Sequence, residues 1–114
     1  MDIKGEQRPW GSFEQFTNNE LSTVKILDVK SGEKFSLQYH NNRDEFWKVI
    51  SGNPTLTVGD EEKIGKEGDE FFIPKKTKHR IQANDKDVKV LEISFGNFDE
   101  NDEIRIDDIY GRNR

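Results

Sequence analysis

The sequence predicts an all-β fold of the sandwich or barrel kind. Short runs of β-branched and aromatic residues alternate with polar ones. Clusters of Gly, Asn, Asp and Pro break the chain about every 8–12 residues. No stretch carries a sustained helical stripe. Only 31% of the residues are hydrophobic and 36% are charged, yet there are eight Phe and two Trp. With regular Val/Ile alternation, these aromatics argue for a thin packed core rather than disorder. At 114 residues the chain predicts one domain, 1–114, with one core.

Taken in order, residues 1–7 are polar and read as a loose N-terminal arm. Pro9 fixes its own φ and biases Arg8 toward extended geometry, giving a rigid entry through Gly11. After a turn at 17–20, residues 22–29 form a strand with Val24, Ile26 and Asp28 on one face and Thr23, Lys25, Leu27 and Val29 on the other. Residues 35–40 place Ser36, Gln38 and His40 on one face and Phe35, Leu37 and Tyr39 on the other, because side chains alternate across a pleated strand. A polar break at 41–44 precedes a second run with Glu45, Trp47 and Val49 on one face, which stops at Ser51-Gly52. Asn53-Pro54 turns the chain into a strand at 55–58, and Gly59-Asp60 makes a tight hairpin into 61–64. A turn at 65–68 leads to strands at 70–73 and 80–82, past His79. The strand at 88–95 sets Val88 and Val90 opposite Leu91, Ile93 and Phe95. Residues 97–114 open acidic and then carry Ile104, Ile106 and Ile109, an edge strand and tail packing across the barrel.

Charge and composition narrow the chemistry. A net charge of −5 disfavours nucleic acid or an anionic membrane as partner. With no cysteine, disulfides, zinc ribbons and thiol nucleophiles are excluded. No N-terminal apolar stretch has signal or membrane-spanning length, so a cytoplasmic protein is expected. Gln38 and His40 point the same way, and if their strand neighbours the next one, Glu45 converges on them. An amide oxygen, an imidazole and a carboxylate on stiff strands suit a divalent metal that takes a fourth ligand from elsewhere. His79, the other histidine, stands in a matching strand-turn context. A lone strand histidine is more often structural, and Glu45 alone is an ordinary surface carboxylate. Lys75, Lys76, Lys78 and Arg80 crowd the second histidine and Arg43 lies in the first turn. They read either as an anion site at the barrel mouth or as a solvated charged loop. Arg80 alternates with His79 and faces away from it. Trp10 reads either as a ring bordering a sugar pocket or as plain packing.

The spacing Gly32, Gln38, His40, Glu45, Gly52 resembles the first cupin motif, and Gly68, Pro74, His79 resembles the second. RPWGSFE at 8–14, GDEFFIP followed by KHR, and IDDIYGR at 106–112 resemble the isomerase domain of the type II phosphomannose (mannose-6-phosphate) isomerases over nearly the whole chain. The resemblance implies a cupin, a double-stranded β-helix or jelly-roll barrel, with a divalent metal on Gln38, His40, Glu45 and His79. Zinc suits that donor set first, and manganese, cobalt, nickel or iron also suit it. The implied activity is metal-dependent aldose-ketose isomerisation of mannose 6-phosphate and fructose 6-phosphate. Arg43 and Glu45 are then the catalytic residues, and Arg43, Lys78, Trp10 and Arg112 the contacts to the sugar phosphate. Cupins often pair through sheet edges, so a homodimer is expected.

The chain also departs from that pattern. His40-Asn41-Asn42 stands where the relatives carry three histidines, and asparagine does not titrate near neutral pH. Glu45-Phe46-Trp47 replaces Glu-His-Trp, and Lys75-Lys76 replaces Ala-Gly. Glu45 is spent if it ligates metal, which leaves the isomerase without an assigned base. The departures favour, as second reading, a non-catalytic cupin that binds a sugar or sugar phosphate. An iron-dependent cupin oxygenase is a third, disfavoured by glutamine at a ligand position. The nucleotidyltransferase domain of the bifunctional relatives is not in this sequence, so guanylyl transfer is not expected.

Overall fold

The computed structural model describes residues 3–111, and every regular element among them is a strand. In chain order these are β1 Lys4–Arg8, β2 Gly11–Gln15, β3 Ser22–Val29, β4 Leu37–Tyr39, β5 Glu45–Ser51, β6 Thr55–Val58, β7 Glu61–Ile64, β8 Glu70–Ile73, β9 His79–Gln82, β10 Val88–Phe95 and β11 Ile104–Asp107. One sheet has the order β3-β10-β5-β8, a second has the order β11-β4-β9-β6-β7, and β1-β2 form a hairpin of their own. No helix among the described residues is long and apolar enough to cross a membrane.

The two larger sheets face one another because alternate side chains of each are apolar. β5 supplies Trp47 and Val49, β10 supplies Val88 and Val90, and β3 and β8 add Val29 and Ile73. From the opposite sheet Leu56 of β6 and Ile81 of β9 complete the buried cluster. Trp47 is its centre, fully buried and set edge-on to Phe35 at 6.2 Å and to the His79 ring at 5.4 Å. Burial of one such side chain contributes about 3 kcal/mol or more. The apolar core thus runs directly up to a histidine.

Three features differ from the expectation. Residues 1–7 are not a loose arm throughout. β1 pairs with β2 from Lys4↔Gln15 to Arg8↔Gly11, although all five of its residues are exposed. The hairpin is anchored at its base, where Phe16 meets Phe46 at 5.5 Å and Lys48 Nζ meets Glu14 at 3.0 Å. Trp10 lies at its tip and is 73% exposed, so it packs into no core. The strands bearing Gln38 and Glu45 are not neighbours either. β4 pairs with β9 and β11, whereas β5 pairs with β10 and β8 in the other sheet. Gln38 and Glu45 therefore line one cavity from opposite sheets, not along one sheet.

Gly52 ends β5 with φ of 91°, and a Cβ there would lie 2.6 Å from the Asp87 carbonyl oxygen and 2.8 Å from Val88 Cγ2. Backbone conformation and space both demand glycine at this point. Gly52→Ala is therefore expected to lower stability by about 2–4 kcal/mol. Urea unfolding checks this, and a loss below about 1 kcal/mol would mean that the turn yields.

Candidate metal centre

Glu45, the first residue of β5, points inward and is 1% exposed. Its Oε1 lies 3.4 Å from His40 Nε2 and 3.4 Å from His79 Nε2. His40 follows β4, and His79 opens β9 directly opposite Gln38 of β4. The possible ligand atoms of His40, Glu45 and His79 all lie within 4.8 Å of one another. Two imidazoles from one sheet thus meet one carboxylate from the other.

The outer nitrogens of both rings are committed. His40 Nδ1 lies 2.6 Å from the Asp102 carbonyl oxygen, and His79 Nδ1 lies 2.9 Å from that of Thr77. A carbonyl only accepts, so each Nδ1 carries a proton, and in the neutral ring Nε2 turns a lone pair inward. This is the orientation that backbone carbonyls impose on metal-ligating histidines. Glu45 Oε1 and His79 Nε2 are buried with no hydrogen-bond partner. Unanswered buried acceptors are costly, and a cation at their common focus answers them. His40, Glu45 and His79 could together hold a metal ion.

Glu45's second oxygen is held in place. Arg43 Nε donates to Oε2 at 3.2 Å and Ser94 Oγ donates to it at 2.7 Å. Burial opposes the charge of Glu45, but the imidazoles of His40 and His79 and the Ser94 hydroxyl outweigh it and hold its pKa down to about 2. Burial also opposes protonation of His40, yet Glu45 and the Asp102 carbonyl prevail and raise its pKa. For His79 burial wins, aided by His40 and Arg43, and its pKa falls despite Glu45. Burial thus favours a neutral His79, while a metal would compete with a proton at His40.

Arg43 is a structural cation here as well as a cavity residue. It is 6% exposed, its Nη1 donates to the Asp99 carbonyl at 3.0 Å, and its Nη2 stands 3.3 Å from His40 Nε2. The Phe98 ring lies 4.4 Å from its guanidinium carbon. Residues 98–102 therefore wall the site, and the Asp102 carboxylate adds hydrogen bonds from the backbone amides of Asn41 and Asn42, both at 2.9 Å. A cavity of about 470 Å³ opens above, lined by Gln38, His40, Arg43, Glu45, Glu92, Phe98 and others. Gln38 Oε1 accepts a hydrogen bond from Ser36 Oγ at 2.7 Å.

The remaining candidates lie elsewhere. Lys75, Lys76 and Lys78 are exposed on the turn before β9, and neither Lys78 nor Trp10 lines this cavity. Arg80 faces outward, donating to the carbonyl oxygens of Phe35 at 2.8 Å and Asp107 at 2.9 Å. Arg112 lies outside the described residues. The sequence reading missed Glu92 and Ser94, which continue the inward face of Val88 and Val90 along β10. Their signal was present as parity: polar residues on the buried face of a strand. The carbonyls of Thr77, Asp99 and Asp102 carried no such signal, since any residue type supplies one.

Glu92 is 8% exposed and its Oε2 accepts from Trp47 Nε1 at 3.1 Å. Burial, reinforced by the negative charge of Glu45, raises its pKa from 4.5 to about 6, against the Trp47 hydrogen bond. Because the folded pKa exceeds the unfolded one, Glu92 stabilises most below pH 4.5 and loses that contribution as pH rises through about 6. Glu92→Gln keeps an acceptor for Trp47. In metal-free buffer it should be more stable than wild type at pH 8 by up to about 2 kcal/mol, with the difference shrinking toward pH 4. Urea unfolding across that range checks the trend, and a difference independent of pH would assign it to packing.

Residues 3–108 match the family model "Mannose-6-phosphate isomerase C-terminal". The chain is 36% identical over 107 residues to the xanthan biosynthesis protein XanB of Xanthomonas campestris, covering 92% of this chain and 23% of that protein. It is 34% identical over 107 residues to the mannose-1-phosphate guanylyltransferase ManC of Salmonella typhimurium, covering 92% and 22%. The chain thus spans less than a quarter of the length of these relatives. Among solved structures, a sugar phosphate isomerase of the cupin superfamily from Silicibacter pomeroyi superposes with a TM-score of 0.61 at 25% identity, over 67% of this chain and 51% of that one. The fold is therefore the expected cupin barrel. The expected mannose 6-phosphate/fructose 6-phosphate isomerase is corrected by the same findings: these sequence relatives are named as a guanylyltransferase and a polysaccharide biosynthesis protein, and neither is named as a phosphomannose isomerase.

Proposed function

The chain belongs to the mannose-6-phosphate isomerase C-terminal family, and on that premise we propose that it is a metal-holding cupin that binds a mannose phosphate, serving sugar-nucleotide biosynthesis. The observation that carries the metal is the pair of buried, partnerless acceptors, Glu45 Oε1 and His79 Nε2, within 4.8 Å of a ring nitrogen of His40. Gln38 stands opposite His79 on the cavity wall and completes the ligand set through its amide oxygen. That oxygen has two lone pairs, so ligation leaves one for Ser36. Zinc is the proposed ion, because two imidazoles, a carboxylate and an amide oxygen make a mixed N/O set on rigid strands. Bound there, the metal supplies a Lewis acid to a ligand oxygen.

The ligand class follows from charge. Lys25, Arg43 and Arg105 line the cavity together with Glu45, Glu92, Glu100 and Glu103. With no metal, that balance does not favour an anion. A divalent cation reverses its sign and makes a phosphorylated sugar acceptable. Mannose phosphate is proposed because the ManC relative is named for mannose 1-phosphate. A homodimer belongs to the same proposal: β3 is an eight-residue edge strand on which Val24 and Ile26 are 58% and 50% exposed.

Isothermal titration with zinc tests the reading. Wild type is expected to bind one zinc per chain, and His79→Ala to bind it about a hundredfold more weakly or worse. Mannose 1-phosphate should then bind the zinc-loaded form and not the chelated one. Failure of the wild type to take up any of zinc, cobalt, manganese or nickel would overturn the metal assignment.

A further inference from the structure

Glu92 is the second buried carboxylate of the cavity, and the metal cluster does not include it. The inward face of β10 reads Val88, Val90, Glu92, Ser94. The first two fill the core and Ser94 serves Glu45. A core alone would take another apolar residue at position 92, because an under-satisfied carboxylate in a barrel wall is costly. Trp47 Nε1 answers only Oε2. Oε1 takes no hydrogen bond from a described side chain or backbone amide, and it belongs to a side chain that lines the cavity.

The position of this oxygen defines what it can bind. Residues two apart on a strand are about 6.7 Å apart, so Glu92 stands one such step along β10 from Ser94, the residue that grips the metal-side carboxylate. Glu92 only accepts when ionised. It repels a phosphate and attracts a neutral O–H donor. Lys25, whose Nζ rests 4.3 Å from the Phe98 ring centre, is the cross-strand neighbour of Glu92 on β3, whereas Arg105 lies on β11 in the opposite sheet with its Nη2 2.7 Å from Glu103.

We propose that Glu92 is the specificity-determining residue of this cavity: its Oε1 accepts a hydrogen bond from a sugar hydroxyl, so that the site distinguishes a sugar phosphate from phosphate alone. This rests on the sugar-phosphate reading above and names the group that reads the sugar. A carboxylate rather than an amide is used because a hydrogen bond to an ionised acceptor is roughly twice as strong as a neutral one. It also turns the ligand, directing a hydroxyl to β10 and its phosphate to the metal.

The test is calorimetry on zinc-loaded wild type and Glu92→Gln, each titrated with mannose 1-phosphate and with inorganic phosphate, alongside zinc affinity for both. Gln keeps the Trp47 acceptor. The expected result is about tenfold weaker mannose 1-phosphate binding by the variant, with phosphate and zinc affinities unchanged within about twofold. Equal weakening of all three would make Glu92 a support of the metal centre, and no change in any would make it a bystander. Either result overturns the assignment. If zinc-loaded wild type bound phosphate as tightly as mannose 1-phosphate, Glu92 would read nothing. If it bound neither, the sugar-phosphate reading would fall and this inference with it.

Discussion

The buried charge of Glu45 is the constraint that organises this molecule. Removing a carboxylate from water costs several kcal/mol even after relaxation, and strand β5 places this one at 1% exposure between two sheets. Everything nearest to it is a response. Arg43 and Ser94 donate to one oxygen, and the two imidazoles approach the other. The two histidines are in turn fixed by carbonyls of residues 77 and 102. A site built only for stability would have been cheaper with apolar residues. Its remaining open acceptors are what a cation satisfies.

The barrel makes this possible by joining its layers at the same point. Trp47 packs edge-on against the His79 ring and donates its indole N–H to Glu92. One aromatic therefore closes the apolar core below and braces the polar cavity above. The loop after β10 completes the wall with the Phe98 ring and the carbonyls of residues 99 and 102. Core packing and ligand orientation are thus not separable here, and substitutions at Trp47 act on both.

How much of this was legible in the sequence varied with the kind of signal. β3 and β10 were read to the residue because apolar alternation and flanking turns agree there. β1 was missed because KGEQR has no apolar face and forms a strand only by pairing with β2. His40, Glu45 and His79 were picked out by type and spacing. Their meeting across two sheets was not readable, since strand order is set by long-range pairing, not by neighbours in the chain. Trp10 illustrates the opposite error: an aromatic suggests burial or a pocket, whereas a hairpin tip holds it in solvent. Glu92 and Ser94 stand in register with Val88 and Val90, so their parity along β10 marked them as buried polar residues.

The ligand set around Glu45 is best examined by X-ray absorption at the zinc edge on the stoichiometrically loaded protein in solution. A light-atom first shell of nitrogen and oxygen, with the outer scattering of two imidazole rings, is expected if His40 and His79 turn their Nε2 atoms to the ion. An all-oxygen shell without imidazole scattering would place the metal elsewhere and leave the converging acceptors of the barrel without the cation assigned to them.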